Sequence, residues 1–255
     1  MRIAKASYHG QAQWVIVEGD TAYKLEGDRF NGPRRGAPLA PLSQVKLLPP
    51  VEPHNKFVAL LGNYGSRGVH DGPGIFVKPN SALIGDGDDI VCPRIAPTLN
   101  YEPEIAIVMG RRVRHATPSE GKAAILGYTI SHDVTTTSMA TKDRGPSIRY
   151  KAFDTFGVLG PWIVTDVDGD NLPLRSLLNG QPTKQDTNTS KMAWSIGEVV
   201  AWISSVMTLE PGDVISCGTP PGFGPMGVGD TIECVIDGIG RLKNRIVADP
   251  TTPRS

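Results

Sequence analysis

Apolar residues in this chain come in short runs broken by glycine and proline. Ala12-Gln13-Trp14-Val15-Ile16-Val17 reads as a strand, Glu18-Gly19-Asp20 as a turn, and Thr21-Ala22-Tyr23-Lys24-Leu25 as the return strand. Arg29 to Pro41 is rich in Gly, Pro and Arg and reads as a linker. Residues 1–50 then form a small N-terminal β domain with its linker, and residues 51–255 a larger domain. Within the latter, Phe57-Val58-Ala59-Leu60-Leu61-Gly62 is unbroken in apolar character, as a strand covered on both faces would be. The polar, Gly-rich segment from Asn63 to Gly72 reads as a loop or short helix. Thr117-Pro118-Ser119-Glu120 is a helix start, with proline in the first turn, and predicts a helix over Gly121 to Leu126. Ile196, Val199, Val200, Ile203 and Val206 recur at helical spacing within Ser195 to Met207. Asp213 to Cys217 and Thr231 to Ile236 read as strands.

With 29 glycines and 22 prolines, the 255 residues favour many short strands joined by tight turns, hence a mixed, mainly β fold. A net charge of zero gives no electrostatic case for nucleic acid or an acidic membrane surface. No apolar run approaches the ~20 residues that span a bilayer, and Met1-Arg2-Ile3-Ala4-Lys5 lacks the apolar core of a leader. Three widely spaced cysteines, Cys92, Cys217 and Cys234, suit buried thiols in a reducing cytoplasm.

The chemistry concentrates in Asn100-Tyr101-Glu102-Pro103-Glu104. Glu102 and Glu104 alternate at the mouth of the apolar run Ile105 to Val108, so they share one face of a strand. Asp133 follows another apolar run, Tyr128-Thr129-Ile130. Carboxylates gathered at strand ends repel one another unless a cation lies between them, and a hard divalent ion takes oxygen ligands.

Several blocks together resemble the fumarylacetoacetate hydrolase family, in order over roughly residues 50–245. They are Phe76-Val77-Lys78-Pro79, Tyr101-Glu102-Pro103-Glu104, Gly127 to Val134, Lys151 to Phe156, Asn179-Gly180-Gln181, Gln185 to Thr189, Pro211-Gly212-Asp213, Gly218 to Gly224 and Gly238-Ile239-Gly240. The resemblance implies a β-sandwich roll, a homodimer, and Mg²⁺ or Mn²⁺ (in some members Ca²⁺) held by Glu102, Glu104 and Asp133. It implies an oxo-acid substrate, with Lys151 beside the metal and Gly218, Thr219 and Pro220 at the substrate carboxylate. His70, with Asp71 beside it, is the candidate general base, against a loop histidine without a chemical role. Arg67 is a candidate for binding a carboxylate through its planar fork. Thr137 and Ser138 stand where many members carry Arg-Asp, so the segment Thr135 to Arg149 is unusual. His132 faces away from Asp133 by strand alternation and reads as structural. The implied reaction is cleavage of a C–C bond in a 2,4-dioxo acid with water, through a metal-stabilised enolate. The alternative is decarboxylation, isomerisation, or hydration or lyase chemistry on a 2-oxo acid at the same site.

Overall fold

The computed structural model describes residues 1–140, 142 and 148–250. Twelve strands form one mixed sheet, ten of them along a single path, with Lys46–Leu48 and Leu83–Ile84 pairing from the side. Its path runs Asn31–Pro41, Thr21–Asp28, Gln11–Glu18, Arg2–Tyr8, Gly157–Val164, Ile125–Asp133, Pro103–Met109, Val214–Ser216, Phe57–Leu61, Gly74–Lys78. A second sheet of five strands has the order Gln181–Asn188, Pro173–Leu178, Thr231–Ile236, Gly240–Ala248, Asp89–Cys92. The main core lies where Ile105, Ile107, Ile130 and Val158 of the large sheet meet Leu174, Ile232, Ile236, Leu242 and Ile246 of the smaller one. Helix Ile196–Val206 closes that core with the apolar stripe read from its spacing: Ile196, Val199, Val200 and Ile203 are buried. Its N-terminus carries a capping box between Ser195 and Glu198, which satisfies two otherwise orphaned N–H groups. Among the described residues no helix is long and apolar enough to cross a membrane.

Two expectations need correction. The Gly/Pro/Arg-rich stretch is a strand, Asn31–Pro41, paired with Thr21–Asp28 through three register shifts. It is the end strand of the sheet, where proline's missing N–H costs no ladder bond. The helix predicted to reach Leu126 spans Pro118–Ala123, and Ile125 already opens a strand. A box between Thr117 and Glu120 fixes its start as expected. Its end is set by the run Ile125 to Asp133, whose branched and aromatic side chains pack better on a pleated sheet.

The first strand, Arg2–Tyr8, links the N-terminal hairpin to the rest. It pairs on one side with Gln11–Glu18 and on the other, through Arg2 and Ile3, with Gly157–Val164.

Candidate metal centre

Two central strands lie antiparallel with Pro103 opposite His132 and Glu104 opposite Ser131. This register brings the mouth of one strand beside the end of the other. Glu102, Glu104 and Asp133 are all buried, and each offers an oxygen within 4.8 Å of the others'. Alternation puts His132 on the opposite face, where it is fully buried and neither ring nitrogen has a partner among the described residues. Burial drives its pKa down to about 3, so it is neutral.

Two ammonium groups enter this acidic centre. Lys151, on the short turn Arg149–Lys151, donates to Glu102 Oε2 and to Asp133 Oδ2, both at 2.6 Å. Its Nζ also lies 5.3 Å from the centre of the Phe76 ring. Burial alone would push Lys151 down, but Asp133 and Glu102 more than reverse this and keep it protonated. Lys78 pairs with Asp133 Oδ1 with no exposed side-chain surface. It also donates to the carbonyls of Val134 (3.2 Å), Lys151 (2.9 Å) and Phe156 (2.6 Å).

The carboxylates divide accordingly. Burial pushes Asp133 up, yet Lys78 and Lys151 outweigh it and hold the group below the usual carboxylate range. Glu102 is raised by burial and by Asp133, in spite of Lys151. Among the described residues no lysine is hydrogen-bonded to Glu104. Its Oε2 accepts from Ser216 Oγ at 2.5 Å and from the Gly218 N–H at 2.7 Å. Burial, then Asp133, push its pKa up to about 8.

Three carboxylates against two lysines leave one negative charge in excess when all are ionised. A divalent cation would reverse that sign, and the all-oxygen donor set suits a hard ion. Ser131 Oγ and Tyr64 Oη are buried without a partner among the described residues. Ser131 lies opposite Glu104 and shares the face of Asp133. The site thus has both the charge and the unspent polar groups that a cation with its own ligands would use.

The other expected residues divide. The turn Gly218-Thr219-Pro220 abuts Glu104 through Gly218 and Pro103 through Thr219, whose Oγ1 donates to the Pro103 carbonyl at 3.1 Å. His70 is exposed and lines a cavity with Trp194 and Trp202 in which none of the three carboxylates takes part. Asp71 lines the same cavity. Arg67 donates to both carboxylate oxygens of Glu198 at 3.0 Å and to the Ala193 carbonyl at 2.6 Å. Its fork is therefore occupied by the cap of a helix. Cys217 is fully buried, and burial raises its thiol well above the ordinary value, which suits packing. Within the unusual segment Thr135 to Arg149, residues 141 and 143–147 lie outside the described ones.

Sequence reasoning gave no role to Lys78 or Ser216, which bond the acidic set, or to Gln185, which bonds Thr219. For Lys78 a signal existed. Phe76 and Lys78 alternate on one strand, and both are buried while Val77 between them is exposed. A lysine sharing the face of a buried phenylalanine needs an acid inside the protein.

This architecture is a mixed-sheet β fold with an acidic, lysine-balanced centre at the ends of two central strands of its large sheet. The chain belongs to the fumarylacetoacetate (FAA) hydrolase C-terminal family, which matches residues 57–247. An N-terminal family described as Rv2993c-like matches residues 1–50. Over 98% of this chain, the structure is similar to a 2-hydroxyhepta-2,4-diene-1,7-dioate isomerase from Mycobacterium marinum, all of which is covered, at TM-score 0.91 and 39% identity. It is similar to a maleylpyruvate hydrolase from Sphingobium sp. SYK-6, solved with manganese(II) and pyruvate, at TM-score 0.81 and 31% identity, over 97% of this chain and 99% of that one. In sequence, it is 34% identical to the human mitochondrial oxaloacetate tautomerase FAHD2B over 82% of this chain and 72% of that protein.

Proposed function

We propose that this chain is a Mg²⁺- or Mn²⁺-dependent enzyme that interconverts keto and enol, or shifts a double bond, in a 2-oxo dicarboxylic acid. One observation carries this over hydrolysis: Lys151 bridges two of the three carboxylates, while His70, the candidate base for water, lines a cavity in which none of the three takes part. Glu102, Glu104 and Asp133 would hold the ion, which supplies Lewis-acid polarisation of the oxo acid. Lys151 stays an ammonium and stabilises negative charge on an enolate oxygen through a charge-assisted hydrogen bond. Lys78 has its protons directed to Asp133 and backbone carbonyls, and serves to hold Asp133 ionised. The relatives that act as tautomerase and isomerase support this reading.

Cleavage of a 2,4-dioxo acid is the second reading, supported by the likeness to the maleylpyruvate hydrolase bound to manganese and pyruvate. It requires a base that delivers water, and His70 is the candidate. Both readings carry a homodimer as the working assembly, which sedimentation velocity checks.

The test is product analysis by NMR and mass spectrometry in ¹⁸O-labelled water with Mg²⁺ or Mn²⁺. The panel is oxaloacetate, fumarylpyruvate and other acylpyruvates. The expected result is faster keto–enol exchange or a shifted double bond, with no label in a new carboxylate. Pyruvate plus an ¹⁸O-labelled acid would overturn it in favour of hydrolysis.

A further inference from the structure

The turn Gly218-Thr219-Pro220 has spent most of its hydrogen-bonding capacity. The Gly218 N–H is given to Glu104, and the Thr219 hydroxyl hydrogen to the Pro103 carbonyl. Pro220 and Pro221 have no N–H to give. Among the described residues no protein group accepts the Thr219 N–H. This donor lies one peptide unit from a nitrogen that touches a carboxylate of the acidic centre. It is the one backbone donor on the turn left for a ligand.

Gln185 fixes that turn from the opposite sheet. It lies on strand Gln181–Asn188 and is 1% exposed. Both hydrogens of its Nε2 are committed, one to Thr219 Oγ1 at 2.9 Å and one to the Pro220 carbonyl at 2.7 Å. Ser176 Oγ approaches its Oε1 at 3.5 Å. Because Thr219 Oγ1 accepts from Gln185, its own hydrogen is directed to Pro103. The Thr219 nitrogen is thus bracketed by the Gly218–Glu104 bond on one side and the Gln185 bonds on the other. Gly218 allows the approach: its φ is +90°, and Asn63 Cβ would lie 3.1 Å from an added Cβ.

We propose that Gln185 is a positioning residue for ligand recognition, holding the Thr219 N–H where it receives the carboxylate of the oxo acid. The inference rests on the function proposed above. It concerns affinity for the acid and not for the metal, because Gln185 bonds Thr219 and Pro220 and none of the three carboxylates.

The test compares wild type with Gln185→Leu and Gln185→Glu. The latter keeps the shape but sets an oxygen against the Pro220 carbonyl. Calorimetry measures Mn²⁺ affinity alone, then pyruvate and oxalate affinity at saturating Mn²⁺, and steady-state kinetics follow. Both variants should bind Mn²⁺ within about twofold of wild type and the acids about tenfold more weakly. KM should rise with kcat little changed. Adding Thr219→Val to Gln185→Leu should cost little more, since both act through one path. Unchanged acid binding in either folded variant would overturn the proposal, as would Mn²⁺ affinity that falls in parallel. If wild type with Mn²⁺ binds neither pyruvate nor oxalate, the oxo-acid reading fails and takes this inference with it. Wild-type binding matched by the variants sinks Gln185 alone.

Discussion

Lys78 shows what a buried charge requires. Its ammonium faces Asp133 and three carbonyls with no exposed side-chain surface, so removing it leaves Asp133 with Lys151 alone. Breaking a buried pair from one side costs about 3–5 kcal/mol. Lys78→Met should lower unfolding stability by that order in urea titration, and adding Asp133→Asn should recover part of it; a loss within 0.5 kcal/mol would show that the pair is unimportant. Glu102→Ala removes one of the three proposed ligands and should abolish both Mn²⁺ binding and turnover. Full activity in that variant after metal stripping would refute the ligand assignment. Glu104 makes a prediction about pH. Its folded pKa, about 8, lies above that of an ordinary carboxyl in the unfolded chain. The folded state therefore holds the extra proton, and the stability this contributes is lost as pH rises through about 8. Stripped of metal, wild type should melt progressively below Glu104→Gln from pH 6.5 to 8.5. The comparison cancels His132 and Lys78, which are shifted in the same way in both proteins. A constant difference across that window would refute the assignment. At this scale the acidic set was readable from strand alternation, because Glu102, Glu104 and Asp133 end apolar runs. Lys78 left only the weaker signal of its alternation with Phe76, since tertiary packing alone places the acid above its strand.

At the scale of elements, what the sequence conveyed depended on how local the cause was. The helix Ile196–Val206 and both capping boxes are local: spacing and a Ser or Thr three residues before Glu suffice. The strand Asn31–Pro41 is not, because three prolines read as a linker until the strand is known to end its sheet. The first strand carries only a weak alternation, and its partner Gly157–Val164 lies far along the chain. Gly127 sits in the strand that delivers Asp133, at a point where the neighbouring backbone comes very close. A Cβ there would meet the Val164 carbonyl oxygen at 2.3 Å and Ile163 Cγ2 at 2.9 Å. Gly127→Ala must push two paired strands apart, and overpacking of this kind typically costs about 1–3 kcal/mol. Because the strain lies between the strands that place Asp133, Mn²⁺ affinity should weaken along with stability. A variant with wild-type melting and metal binding would show that the strands separate freely. Ser195→Ala is the contrasting case: losing the cap should cost about 1 kcal/mol and leave metal affinity alone.

For the whole molecule, the question is whether residues 1–50 are an appendage or part of the core. The separate family matches over 1–50 and 57–247 divide the sequence cleanly, but the packing crosses that division. Ile3 is fully buried in a cluster with Phe57, Ala106, Val108, Leu159, Ile163 and Val214, and Trp14 and Leu25 pack against the same cluster. Lys5 Nζ and Trp14 Nε1 both donate to Glu52 at 2.8 Å. Arg2 and Ile3 cover part of Gly157–Val164, whose other neighbour is the strand bearing Asp133. Removing residues 1–50 would uncover those side chains, each worth about 1.5–3 kcal/mol when buried. It would also open an apolar strand edge at Ile163 and Val164, which favours edge-to-edge association. The fragment 51–255 should therefore aggregate on size-exclusion chromatography, and restoring 1–50 as a separate polypeptide should recover some soluble complex. A monodisperse fragment that binds Mn²⁺ as tightly as the full chain would mean that the core closes without Ile3, and that the N-terminal strands serve something other than the stability of the site.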